Sequence, residues 1–126
     1  MSSLKTLLMA GLAATTPLPV WATSDIHYVF AGCVGRFSAE MEHAWLLENG
    51  EADRLRDKRH SFLSLMEASM PVEKARAVLS YRIDNKMAHA ALLTTASFDQ
   101  DARRAQSARA AAQAYRNNCE RLLLDS

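Results

Sequence analysis

The fold class of this chain is decided by one stretch, SFDQDARRAQSARAAAQAYRNNC at residues 97–119. Ser97 and Gln100 have the spacing of a capping box, in which two side chains satisfy free backbone N–H groups at the start of a helix. From 102 to 114 the chain is rich in Ala, the residue with the highest helix propensity. The stretch therefore predicts a long final helix that carries Cys119 near its end.

Three earlier segments show the spacing of amphipathic helices, in which apolar residues recur every three or four positions. Asn49-Gly50 and Pro71 separate these segments, and we expect helices at about 25–48, 51–69 and 71–95. The residues predicted to face the core are Phe30, Cys33, Phe37, Met41, Ala44 and Trp45 in the first helix, Leu55, Phe62, Leu63 and Met66 in the second, and Val72, Ala75, Leu79, Ile83, Ala90 and Leu93 in the third. The final helix, with its small side chains, is expected to lie close to the large side chains of the first. Because the connections are short, the simplest assembly is all-α, an up-down-up-down antiparallel four-helix bundle.

Two glycines, Gly32 and Gly35, interrupt the first predicted helix. Each costs about 1 kcal/mol relative to Ala inside a helix. Either they permit a neighbouring helix to approach closely beside Cys33, or regular helix begins only near Ser38.

The two cysteines, Cys33 and Cys119, show no metal-type spacing, and an even number in an exported chain indicates a disulfide. Cys33 lies near the start of the first helix and Cys119 near the end of the fourth. In an antiparallel arrangement these depths match to within about one helical turn, roughly 5 Å. Closing a loop of about 90 residues is worth roughly 4 to 5 kcal/mol in the chain-entropy account.

The N-terminus has the organisation of a cleavable signal peptide. A short polar start with Lys5 precedes the apolar run 6–14, and two prolines then lead to Val20-Trp21-Ala22. The apolar run is shorter than the roughly 20 residues that span a bilayer, and the small residue at 22 suits cleavage after Ala22. We therefore predict a signal peptide at 1–22, a single helical domain at 23–126, and a periplasmic or secreted protein. A lipoprotein with its lipid on Cys33 is the alternative, although polar residues separate that cysteine from the apolar run.

Charge and motifs exclude several functional classes. The chain has 15 Lys and Arg against 14 Asp and Glu, so nothing electrostatic favours nucleic acid or an anionic membrane. The sequence contains no nucleophile elbow, phosphate loop or Cys-x-x-Cys pair. We predict no catalytic residues, no cofactor, no membrane insertion after cleavage, and a protein that is not an enzyme.

The histidines offer a weak alternative, a small metal- or haem-binding bundle. Glu40 and His43 form one Glu-x-x-His step, but the di-metal carboxylate bundles need a second copy. His43 and His89 are expected to share a layer of the bundle, together with arginines that would repel a metal. We therefore predict no metal site and interpret both residues as histidines at the boundary of the core.

The remaining feature is a surface for a partner. Tyr81 is about 200° around the third helix from Leu79 and Ile83, so it is expected to point outward beside Arg82. An exposed Tyr with Arg is the composition of a binding hot spot. The sequence therefore favours a domain that binds a partner protein through Tyr81 and Arg82, as an inhibitor, an immunity-type partner or an envelope accessory factor.

Overall fold

A computed structural model describes residues 25–124, which form four helices and one short 3-10 turn. The helices are α1 (Ile26–Leu47), α2 (Ala52–Ser69), α3 (Ala75–Phe98) and α4 (Ala102–Leu124), and the turn is Val72–Lys74. No strand occurs within the described residues, so the predicted all-α four-helix bundle is confirmed. The predicted signal peptide and its cleavage site lie outside the described residues.

Helix α1 lies at the centre of the bundle. One of its faces packs against α2, where Phe37 stacks on Phe62 with ring centroids 5.7 Å apart. Its other face packs against α3, and these two helices run parallel, since Tyr28 contacts Tyr81 and Glu40 contacts His89. Helix α4 packs chiefly against α3 and touches α1 more sparsely.

The two glycines of α1 explain how α1 and α3 come together. A Cβ added at Gly35 would overlap the backbone oxygen of Arg82 and lie 2.9 Å from the backbone nitrogen of Lys86. Gly32 lies one turn earlier, beside the side chain of Arg36 in α1 and those of Tyr81 and Asn85 in α3. Helix α1 is continuous through both glycines, so the first of the two sequence-based explanations is correct.

The predicted disulfide joins Cys33 of α1 to Cys119 of α4, with the Cα atoms 5.7 Å apart. Both side chains are buried, which places the bridge inside the bundle. Because the Cys33 sulfur is bonded to Cys119, it is not available for a lipid, and the lipoprotein alternative fails at this residue.

Several predicted core positions differ from the structure. The core contains Phe37, Leu55, Phe62 and Met66 as expected, but Trp45 is exposed. The large side chains of α1 pack on α2 rather than on the alanines of α4, because α4 lies against α3. The residues expected to face inward in the third helix, Val72, Ala75, Leu79 and Ile83, are exposed, with Val72 on the 3-10 turn before α3. The buried positions of α3 are instead Val78, His89 and Ala96.

The start of α4 also differs from the predicted capping box. Helix α3 continues through Ser97 to Phe98, since no breaker interrupts its apolar residues, so Ser97 does not cap α4. Asp101 does so instead, because its Oδ1 accepts the backbone N–H of Arg104 at 3.0 Å. The Arg104 side chain also donates to Asp99, and this hydrogen bond holds the pKa of Asp99 below its ordinary value.

Candidate functional site

A chain of polar contacts, here called the polar junction, links all four helices through Glu40 of α1. The Nε2 atom of His89 lies 2.9 Å from Glu40 Oε1, and because a carboxylate only accepts, the imidazole donates. The other carboxylate oxygen lies 3.7 Å from Arg116 Nη1. Arg116 Nε donates to Glu120 at 3.2 Å, and Glu120 also pairs with Lys58 of α2.

The polar junction is buried at its His89–Glu40 end and more accessible to solvent at its Glu120–Lys58 end. The side chain of His89 is 1% exposed and that of Glu40 is 11% exposed. The Nδ1 atom of His89 is buried and has no hydrogen-bond partner among the described residues. At the outer end, burial raises the pKa of Glu120, but the hydrogen bonds from Lys58 and Arg116 outweigh that effect and lower it below its ordinary value of 4.5.

A cavity of about 520 Å³, here called the interhelical cleft, opens between α2 and α4 above the polar junction. Helices α2 and α4 are bridged by the Lys58–Glu120 ion pair, while most of the space between them stays open. The cleft is lined by Glu40, Glu51, Arg54, Leu93, Ala96, Arg109, Ala112, Gln113, Arg116, Asn117 and Glu120.

The second cavity of interest is a groove of about 240 Å³ between α2 and α3, here called the α2–α3 groove, on the opposite side of α1. It is lined by Ser38, Met41, Glu42, Arg59, Arg82, Ile83 and Lys86. Arg59 donates to Ser38 at 2.8 Å, and Lys86 pairs with Glu42 at 2.6 Å. Its cations therefore outnumber its single carboxylate.

The two candidate metal ligands of the sequence analysis contact different partners. His43 Nε2 lies 2.8 Å from Ser97 Oγ, whereas His89 lies against Glu40. Ser97 and His89 are about 12 Å apart along α3, so the histidines do not share a layer as expected. The structure shows no group of three or more His, Cys, Asp or Glu side chains placed to hold a metal within residues 25–124. His89 is also fully buried rather than at a boundary.

Tyr81 is exposed, as the sequence predicted, but its ring lies on the side of α3 that meets α1, and Arg82 is not on an outward face. The Tyr81 ring meets that of Tyr28 edge-on at 5.3 Å and lies beside Gly32, although 41% of the residue is exposed. Arg82 is half-buried and lines the α2–α3 groove. The assignment of the two faces of α3 was therefore wrong, because α3 turns its polar and small side chains toward α1.

That reversal leaves an apolar surface that sequence reasoning assigned to the core. Leu79 and Ile83 are each 48% exposed, Met87 is 64% exposed, and Val72 on the preceding turn is 88% exposed. The four-residue spacing of the three helical members places them on one face of α3. These four residues are here called the α3 stripe. The three- and four-residue spacing of the apolar residues indicated this face in the sequence. Such spacing shows that apolar side chains share one face of a helix, but not whether that face packs inside the chain or lies at the surface.

The described residues contain no helix long and apolar enough to cross a membrane. No protein-family model, curated protein or solved structure matches this chain.

Proposed function

We propose that this protein is an exported helical domain that acts by binding a partner protein, as an inhibitor, an immunity-type partner or an envelope accessory factor, and not by catalysis. The observation that carries the proposal is the exposed α3 stripe. Fully burying an aliphatic or Met side chain is worth about 1.5 to 3 kcal/mol, so a surface that covers the stripe gains several such contributions. A row of exposed apolar side chains at helical spacing is typical of a docking face.

The proposed partner contributes an amphipathic helix with acidic residues beside its apolar face. Leu79, Ile83 and Met87 follow a spacing that a second helix can match with its own side chains. Arg76, which is exposed on the same side of α3, borders the stripe with positive charge, and so does Lys86, although Lys86 is already paired with Glu42. Acidic side chains on the partner would complement these cations and speed association.

The proposed binding surface differs from the one predicted from the sequence, which consisted of Tyr81 and Arg82. Arg82 remains part of it, because Arg82 and Ile83 line the same groove. Tyr81 lies on the side of α3 that meets Tyr28, and its contact with a partner stays a prediction. The variants Tyr81→Ala and Met87→Glu therefore distinguish the surface predicted from sequence from the one proposed here.

Export is part of the proposal and has its own test. A buried disulfide suits an oxidising compartment, and the predicted signal peptide would direct the chain there. Intact-mass analysis of the protein recovered from its own compartment should give a chain that begins at Thr23. A mass that includes Met1 would contradict this part of the proposal.

The binding test compares two matched substitutions. Met87 on the stripe is 64% exposed and Leu46 at the end of α1 is 65% exposed, so the same change at each should perturb folding similarly. A photo-crosslinker at position 87 first captures and identifies the partner from native extract. We expect Met87→Glu to weaken binding of that partner by about tenfold or more, since it removes apolar contact and repels acidic groups. Leu46→Glu should leave binding unchanged.

Two further variants define the partner and the alternatives. Met87→Lys should bind better than Met87→Glu if acidic groups face the stripe. Equal losses for Met87→Glu and Leu46→Glu would refute the assignment of the surface. A loss of partner binding in His43→Ala but not in Met87→Glu would refute the α3 stripe as the binding surface and favour a function of the histidines. If the purified chain self-associates through position 87, the partner at the α3 stripe is a second copy of this chain and not an acidic helix of another protein.

A further inference from the structure

We infer that the interhelical cleft is a binding site for a small organic carboxylate with an apolar body. The cleft lies between α2 and α4, whereas the α3 stripe and the α2–α3 groove lie elsewhere, so this site is separate from the proposed protein-binding surface. Its volume of about 520 Å³ falls within the usual range for small-molecule pockets, about 300 to 1,000 Å³.

The charges of the cleft balance except at one residue. Each carboxylate that lines it already contacts a cation: Glu40 contacts Arg116, Glu51 contacts Arg54, and Glu120 contacts Lys58 and Arg116. Arg109 contacts no carboxylate among the described residues. The three arginines of the lining equal its three carboxylates in number, but Glu120 is also paired with Lys58 from outside the lining. Arg109 is therefore left as the one cation of the cleft without a carboxylate partner among the described residues, which matches a ligand with a single negative charge.

Arg109 is also held in place for such a ligand. Its Nη2 atom donates to the backbone oxygen of Ala96 at 2.8 Å, which ties the guanidinium to the last turns of α3. A guanidinium has five N–H donors in a fixed plane, so several remain for a carboxylate. Because the group is anchored at one corner, less conformational entropy is lost when it binds.

The rest of the lining suits the body of the ligand. Leu93, which is half-buried, provides apolar surface beside Arg109, and the buried Ala96 and Ala112 add small apolar parts of the lining. Gln113 and Asn117 are exposed on α4, and their amide groups can donate or accept hydrogen bonds. The combination of one cation without a carboxylate partner, a small apolar wall and two amides fits an organic acid better than an inorganic anion, which would leave the apolar wall uncovered.

Phenylacetate is a suitable probe, with phenylacetamide as its uncharged control. Both are titrated into the ¹⁵N-labelled, disulfide-bonded protein, and amide chemical shifts report the location of binding. We expect saturable shifts from phenylacetate at the backbone amides of Leu93, Ala96 and Ala112. Phenylacetamide should bind about tenfold more weakly, because it lacks the charge that strengthens hydrogen bonds to Arg109.

Three variants locate the charge requirement. Arg109→Gln should weaken phenylacetate binding by about tenfold. Gln113→Glu, on the exposed side of the cleft, should also weaken it through repulsion without removing the Arg109–Ala96 hydrogen bond, and it serves if Arg109→Gln fails to fold. Arg103→Gln removes an exposed cation of the same helix outside the cleft and should leave affinity unchanged.

The proposal is overturned by any of three results. The first is an absence of saturable shifts at the cleft residues. The second is equal affinity for phenylacetate and phenylacetamide. The third is unchanged affinity in folded Arg109→Gln or in Gln113→Glu, which would leave Arg109 only the structural role of capping α3.

Discussion

Replacing Gly35 by Ala should be strongly destabilising, although the same change at Gly32 should not. A Cβ at position 35 overlaps the backbone oxygen of Arg82 and lies 2.9 Å from the nitrogen of Lys86, and neither atom can rotate away. At position 32 the nearest atoms are side-chain atoms of Arg36, Asn85 and Tyr81, at 3.4 to 3.5 Å.

The magnitude follows from the competition between helix propensity and packing. Ala gains about 1 kcal/mol over Gly at either position, because Ala loses less backbone entropy in a helix. At position 35 the helices α1 and α3 must separate by about 1 Å, and such a gap forfeits a quarter to a half of each van der Waals contact. Overpacking of this kind costs about 3 kcal/mol or more when backbone atoms oppose the new group. We therefore expect a net loss of about 2 kcal/mol for Gly35→Ala, and a change between zero and a gain of about 1 kcal/mol for Gly32→Ala.

The assay is urea and thermal unfolding of the two variants and the parent protein with the disulfide intact. A loss of about 2 kcal/mol lowers the Tm of a domain of this size by about 10 °C. The comparison controls for helix propensity, which is the same in both variants. A Gly35→Ala protein as stable as Gly32→Ala would refute the close backbone contact of α1 and α3.

Three other perturbations test the remaining features. Reducing the disulfide should lower the free energy of unfolding by roughly 4 kcal/mol, and a midpoint that is insensitive to reductant would contradict the bridge. Glu40→Ala should lower the free energy of unfolding by about 2 to 3 kcal/mol, because it leaves a buried imidazole unpaired. Glu42→Ala, at an exposed ion pair, should lower it by less than about 1 kcal/mol. Equal losses in the two variants would argue against the polar junction. Since the folded-state pKa of Glu120 is lowered, its contribution is present above the ordinary value of 4.5 and is lost as the pH falls through the folded-state pKa. The stability difference between the parent protein and Glu120→Gln should therefore shrink in acid, and a difference that grew in acid would reverse the assigned sign.

Helix number, helix order and the disulfide were predictable from the sequence, because each depends on local or pairwise information. Breakers at Gly50 and Pro71 separate the first three helices in the sequence and in the structure. The cysteines had only each other to pair with, and their matched depths agreed with an antiparallel bundle. The boundary between α3 and α4 was less predictable, since Ser97 could cap one helix or end another, and its side chain instead meets His43.

The polar junction was not predictable, because its members come from all four helices and no short motif joins them. Glu40 was noticed only as half of a metal motif with His43, three residues away. Its actual partners are His89, 49 positions along the chain, and Arg116. Such contacts depend on which helices are neighbours and on the orientation of each helix about its own axis. The apolar pattern of the sequence determines neither of these two quantities closely.

The error on α3 has a physical cause that also supports the proposed function. At a close crossing through Gly35, large aliphatic side chains would not fit between the backbones of α1 and α3. The structure instead buries small or hydrogen-bonded residues there: Asn85 accepts from Arg36 at 3.0 Å, and His89 is paired with Glu40. Burying polar groups is tolerable when their hydrogen bonds are made. The apolar residues of the α3 stripe are therefore not needed by the protein's own core. Their helical spacing on the exposed side is the pattern expected of a helix that packs on both of its faces, one within the chain and one against a partner.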